Sequence, residues 1–186
     1  IGQIEASVPF SAELQENWQP GLATYVVTNT NDSGAGSLRQ AIADANSIPG
    51  ADIIAFNIAG TGVHTINVAS TMTLTEAVTI DAATDDSFGA NGSRPAIILD
   101  GNNAFTGDGL VLSASADGST IRGLVIRDFS GDGIEIQAGS DNNTIAGNYI
   151  GSLSATGANV AGEGNTGSGI RVLGANNVIG GVLAAD

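Results

Sequence analysis

Asp108-Gly109-Leu110-Val111-Leu112 returns as Asp132-Gly133-Ile134-Glu135-Ile136, 24 residues later. Ser119-Thr120-Ile121-Arg122-Gly123-Leu124-Val125-Ile126 returns as Asn143-Thr144-Ile145-Ala146-Gly147-Asn148-Tyr149-Ile150 at the same offset of 24. A third copy runs from Ser168-Gly169-Ile170-Arg171-Val172 to Asn177-Val178-Ile179-Gly180-Gly181, and from Ile134 to Ile170 the step is 36. That leaves 12 residues over, which the glycine-rich stretch 154–167 accounts for. Within each copy the apolar residues alternate, as in Leu110/Leu112, Ile134/Ile136 and Ile170/Val172. One face of each short strand therefore points inward and the other outward.

A period of 24 residues is too short for a propeller blade, and the leucine ladder of a leucine-rich repeat is missing. It suits one coil of a parallel β-solenoid. No coil buries its Ile, Val and Leu alone, but coils stacked about 4.8 Å apart bury them in one column. Glycine and asparagine fall at the corners because tight turns need φ > 0 there. Asn142-Asn143 and Asn176-Asn177 occupy equivalent corners, where stacked asparagines can hydrogen-bond along the axis. Glu135 and Arg171 occupy equivalent outward positions, which predicts an ion pair from one coil to the next.

Upstream of the repeat, residues 1–22 show no period and read as a lead-in strap or linker. The chain opens on Ile1 and its one methionine is Met72, which reads as a processed or trimmed form. From residue 23 to 186 the text is that of one β domain. Tyr25-Val26-Val27-Thr28 is β-branched, and short strands follow at 53–56, 64–68, 78–81 and 96–100. Between them lies one helix, 37–47. Ser37 with Gln40 forms a capping box, Leu38, Ala41, Ile42 and Ala45 form one apolar face, and Pro49-Gly50 closes it. Its apolar face is placed to cover the first coil, since a raw sheet end invites unwanted pairing. The last coil has no such cover, so Ile170, Val172 and Ile179 are expected to be exposed. The partners this predicts are further coils of a longer parent chain, or a second copy through the uncapped end.

Composition narrows the function. Of 186 residues, 19 are acidic and 5 basic, all five arginine, for a formal charge of −14. Such a chain is repelled by phosphate backbones and anionic bilayers, which excludes nucleic-acid binding, and no apolar run reaches the ~20 residues of a membrane helix. Charged residues are 13% against about 25% in an average domain, while an apolar share of 42% argues against disorder. There is no cysteine, which removes disulfides, thiolate metal sites and cysteine nucleophiles.

Tyr25-Val26-Val27-Thr28-Asn29-Thr30-Asn31-Asp32-Ser33-Gly34, with Gly36-Ser37-Leu38-Arg39-Gln40-Ala41-Ile42 after it, resembles the opening of bacterial secreted right-handed parallel β-helix proteins. Val78-Thr79-Ile80-Asp81, Gly123-Leu124-Val125-Ile126 and Gly147-Asn148-Tyr149-Ile150-Gly151 extend the resemblance, which spans about residues 23–181. It implies an all-β, right-handed parallel β-helix of the pectate-lyase-like type with a short N-terminal capping helix, in a secreted or cell-surface bacterial protein. Members of this group mostly lack a defined activity.

Two candidate sites follow. Polysaccharide lyases on this scaffold use an arginine or lysine base with carboxylate-held calcium; Arg122, Arg127 and Asp128 are the residues that match, and polysaccharide is the corresponding partner. The plainer reading of Arg127-Asp128 is a solvated neighbour pair. Asp81, Asp85, Asp86 and Asp100 gather hard oxygen ligands at two strand ends and a loop, the pattern of a Ca2+ site; the plainer reading is a solvated acidic loop. His64, the sole histidine, opens a strand and reads as a solvent-facing edge residue. The function expected is a non-enzymatic structural or adhesive segment, with polysaccharide binding or cleavage as the alternative. No cofactor is required by that reading.

Overall fold

The computed structural model describes residues 22–102 and 104–181. The lead-in reading of residues 1–22 lies, apart from Leu22, outside the described residues. Strand β1 (Thr24–Val27) is followed by helix α1 (Leu38–Ala45), and then β2 (Asp52–Phe56), β3 (His64–Asn67), β4 (Met72–Leu74) and β5 (Val78–Asp81). A 3-10 turn (Ala82–Thr84) and a short helix α2 (Asp86–Ala90) lead into β6 (Ile97–Asp100). The repeats supply β7 (Leu110–Leu112), β8 (Thr120–Arg122), β9 (Leu124–Arg127), β10 (Ile134–Ile136), β11 (Thr144–Ala146), β12 (Tyr149–Ile150), β13 (Ile170–Val172) and β14 (Val178–Ile179).

The strands form three sheets, and the pairing within each is parallel throughout. The first sheet runs β1-β2-β5-β8-β11-β14, the second β3-β6-β9-β12 and the third β4-β7-β10-β13. From β2 onward the chain visits the first, second and third sheets in turn, then begins again one layer higher. This is a predominantly β, parallel, stacked-sheet architecture compatible with a solenoid, and we call each circuit a rung.

The register places like residues over like. In the first sheet, Ile54, Ile80, Ile121, Ile145 and Ile179 pair in succession. In the third, Met72, Leu110, Ile134 and Ile170 form one column and Leu74, Leu112, Ile136 and Val172 the next. The second contributes Ile66, Leu99, Ile126 and Ile150. Most of these side chains are fully buried in one continuous core. Each is worth about 1.5–3 kcal/mol over an exposed counterpart, so the stack is held by many equal contributions.

Helix α1 lies across β1, β2 and β4 and buries Leu38, Ala41, Ile42 and Ala45, the face its spacing predicts. Only half of the capping box forms: Ser37 Oγ accepts from Gln40 N at 3.1 Å, but the Gln40 amide donates to Asp44. The helix ends at Ala45, short of Pro49-Gly50, because Asn46 caps it. That same Asn46 donates to Thr73 O at 2.8 Å and accepts from Thr75 N at 2.9 Å, extending the β4 edge as a strand would. No helix among the described residues is long and apolar enough to cross a membrane.

Candidate functional site

The arginines of the alternative site stand on different sheets. Arg122 closes β8 in the first sheet, and Arg127 closes β9 in the second. Each faces a carboxylate from the rung below, because the register puts it there: Asp81 pairs with Arg122, and Asp100 with Arg127. Arg122 Nη2 donates to Asp81 Oδ2 at 2.6 Å. Arg127 reaches Asp100 Oδ2 through Nε at 3.1 Å and Nη2 at 3.0 Å, and its Nη1 meets Glu163. A third such pair, Arg171–Glu135 at 3.1 Å, lies on the third sheet, as the repeat predicts.

Asp128 follows Arg127 at a corner, with φ of 59° and little solvent exposure. Burial pushes its carboxyl above the usual carboxylate range, and the charges of Asp100 and Glu163 add to that while Arg127 opposes it. The solvated-pair reading of Arg127-Asp128 is therefore replaced by one arginine among three carboxylates, in which Arg127, Asp100 and Asp128 are largely buried and Glu163 is partly exposed. Glu163 belongs to the inserted loop, and sequence spacing gave no sign of it.

The four aspartates of the calcium reading meet separate partners. Asp81 also accepts from Ala83 N at 3.0 Å, starting the 3-10 turn. Asp85, fully buried, accepts from Ile58 N at 2.8 Å, from Ser87 N at 3.0 Å and from Ser87 Oγ at 2.5 Å. Asp86 is exposed at the start of α2, and Asp100 accepts from Asn102 N at 2.9 Å. Among the described residues no three His, Cys, Asp or Glu side chains gather closely enough to hold a metal ion. His64 is largely buried rather than solvent-facing. Its Nε2 lies 2.8 Å from Gly60 O and 4.0 Å from Asp85 Oδ1, since it heads an inward column of the second sheet above which Ile97 and Leu124 follow.

Polar corners run as ladders between rungs. Asp108 Oδ1 accepts from Asp132 N, and Asp132 Oδ1 from Ser168 N, both at 2.6 Å. Asp117 and Asp141 serve Asp141 N and Ala175 N in the same way. Asn143 Oδ1 accepts from Ser119 N, and Asn177 Oδ1 from Asn143 N, each at 2.8 Å, so the asparagines do bond along the axis. Asn142 and Asn176, just before them, take φ of 59° and 57°. On the outer face of the first sheet, Thr79, Thr120 and Thr144 form a column beside the Asp81–Arg122 pair. The 24-residue offset foretells its last two members, and Thr79 lies before the repeat begins.

The middle of the second sheet's outer face is covered. Ile98 and Val125 pack against Ala155, with Tyr149 next to Val125 in the same column, and Asn91 Nδ2 donates to Ala155 O at 2.8 Å, while Thr65 of β3 is exposed. Two long connections, the one after β5 and the one after β12, thus meet over this sheet. Of the aromatic residues in the repeats, Phe129 is buried edge-on against Phe105, with ring centroids 6.1 Å apart. Compared with protein-family models, with curated proteins and with solved structures, the chain shows no match in any of the three.

Proposed function

We propose that this chain is a non-enzymatic structural segment: the helix-covered end of a right-handed parallel β-helix of the pectate-lyase-like type, serving a secreted or cell-surface bacterial protein as a stalk, scaffold or adhesive surface. One observation carries the reading. The charged and amide side chains a polysaccharide-active site would need are engaged along the stacking axis. Arg122, Arg127 and Arg171 each bind a carboxylate one rung below, and Asp108, Asp132, Asp117, Asp141, Asn143 and Asn177 cap backbone amides of neighbouring rungs. An arginine already paired with a carboxylate, as Arg127 is with both Asp100 and Glu163, is poorly placed to abstract a sugar proton. The strong negative charge suits a saline exterior, where screening limits self-repulsion.

The test is incubation of the purified chain with pectate, alginate and neutral glucans at neutral pH, with and without calcium, while following unsaturated products and reducing ends. No product above a heat-killed control is expected. Turnover lost on Arg127→Gln would replace this reading with the lyase one.

A further inference from the structure

The inserted loop between β12 and β13 lies against the second sheet, and its hold there is mostly polar. Of residues 152–166 only Ala155 is buried, packed on Ile98 and Val125. Towards β13 the loop is tied by Asn165 Oδ1, which accepts from Phe129 N at 3.1 Å, and by Thr166 N, which donates to Phe129 O at 2.8 Å. The Arg127–Glu163 pair adds to that end. Towards β12 the loop folds on itself, with Leu153 bridged to Asn159, and Asn91 reaches it from the connection after β5. Asn91 Nδ2 donates to Ala155 O at 2.8 Å and to Pro95 O at 2.9 Å, with a longer contact to Arg94 O at 3.4 Å. A segment that buries so little apolar surface opens locally at small cost, so an amide that spends one hydrogen on each side of the seam matters.

Asn91 is also the chain's one asparagine followed by glycine. In such a pair the next backbone nitrogen, unshielded by a side chain, attacks the asparagine's own side-chain carbonyl carbon. Gly92 and Ser93 are exposed, so water reaches the turn. A Cβ on Gly92 would meet nothing closer than Arg94 Nη2 at 3.6 Å, and the φ of 75° is what favours glycine there. Two features hold the attack off while the loop is docked. Gly92 N is committed to Gly89 O at 3.0 Å, and the Asn91 carboxamide is fixed by its two acceptors.

We propose that Asn91 is a self-acting modification site, whose deamidation turns reversible opening of the inserted loop into permanent release. When the loop lifts, the carboxamide is freed. Gly92 N then bonds to Asn91 Cγ, the Cγ–Nδ2 bond breaks, and ammonia leaves with the proton given up by the backbone nitrogen. Solvent water opens the resulting succinimide at one of its two carbonyls, leaving aspartate or isoaspartate at 91. No electron changes hands. Both donor hydrogens are gone, and a carboxylate now faces the carbonyl oxygens of Pro95 and Ala155, which it repels and leaves unpaired. Ile98 and Val125 lose their cover. This inference goes beyond the scaffold reading and does not depend on it.

The test ages the purified chain at mildly alkaline pH, folded and in urea, and follows position 91 by peptide mass mapping. Conversion of the folded chain is expected to be several-fold slower than in urea. Asn165→Ala, which loosens the loop at its other end without touching Asn91, should speed conversion in the folded chain several-fold. Amide exchange in 152–166 should rise several-fold in Asn91→Asp, with the melting of the strands retained. Should that variant fail to fold, the aged and converted chain carries the same comparison against the fresh one. Equal rates folded and in urea, or a rate unmoved by Asn165→Ala, would overturn the coupling of chemistry to loop opening. Unchanged exchange in 152–166 after conversion would overturn the release.

Discussion

The covered end and the open end of the stack are made of the same materials and behave oppositely. Ile54 and Ile179 occupy the same inward column of the first sheet, yet one is fully buried and the other 46% exposed. Side-chain identity does not decide burial here; the presence of a neighbour above or below does. Ile54 lies between Tyr25 of β1 and Ile80 of β5, and at that end of the stack α1 packs across β1, β2 and β4, held by Arg39. Its guanidinium bonds Asp32 Oδ1 at 2.7 Å, Ser70 O at 2.7 Å and Thr71 O at 3.2 Å, clamping α1 to the loop before it and to the approach to β4.

The sharpest way to break this contrast is to compare truncations at the two ends. Leu38→Ala, on the buried face of α1, should cost about 2–5 kcal/mol in urea unfolding, because it leaves a cavity in close-packed surroundings. Ile179→Ala should cost under about 1 kcal/mol, since much of that side chain is already in water. Equal losses would mean that both ends are equally buried in solution. Next in size, Arg39→Ala should cost about 1.5–3 kcal/mol, the usual worth of a hydrogen bond to a charged group, and should raise amide exchange in 38–45 ahead of the rest of the chain.

The clamp also has a pH signature. Burial pushes the Asp32 carboxyl up, but hydrogen bonds from Arg39 and from Ala69 N, with the arginine's charge, outweigh it and hold the group below its ordinary value. A carboxyl lowered by folding contributes stability that is complete above the ordinary range near ~3.9 and is lost as pH falls through the lowered value. Asp32→Asn should therefore flatten the acid limb of the stability profile and lower the neutral plateau.

Asp128 has the opposite sign. Its raised carboxyl binds a proton more tightly in the folded chain, so its ionisation penalises the fold at neutral pH, and the penalty is relieved as pH falls through the raised value. Asp128→Asn, which tolerates the same positive φ, should raise neutral stability and leave acid stability unchanged. A neutral loss would show that the carboxylate's contacts outweigh its burial. Smallest of all, a double-mutant cycle on Glu135 and Arg171 should return about 0–1 kcal/mol and shrink in salt, since Arg171 is 54% exposed at the open end.

The repeat offset already contained the register of the later rungs. Ile121 over Ile145, Glu135 beside Arg171, and the paired asparagine corners follow from counting residues, because a parallel stack preserves sequence distance from rung to rung. The helix face was equally legible, since four apolar residues at helical spacing have one consistent orientation. The site was less so. The spacing that set Asp81 near Asp85 and Asp86 said nothing of direction, and these carboxylates turn to an arginine, to buried amides and to solvent respectively.

Periodicity and local pattern thus determined the parallel strands, the rung length, the inward columns and the covering helix. Only the folded chain decided that Arg127 would be shared between Asp100 and Glu163, that His64 would lie against Asp85, and that the inserted loop would cover Ile98 and Val125. These contacts join elements through connections of irregular length, where residue number no longer measures distance. Which partners meet there is set by packing over the outer sheet faces, and a one-dimensional text carries no period for it.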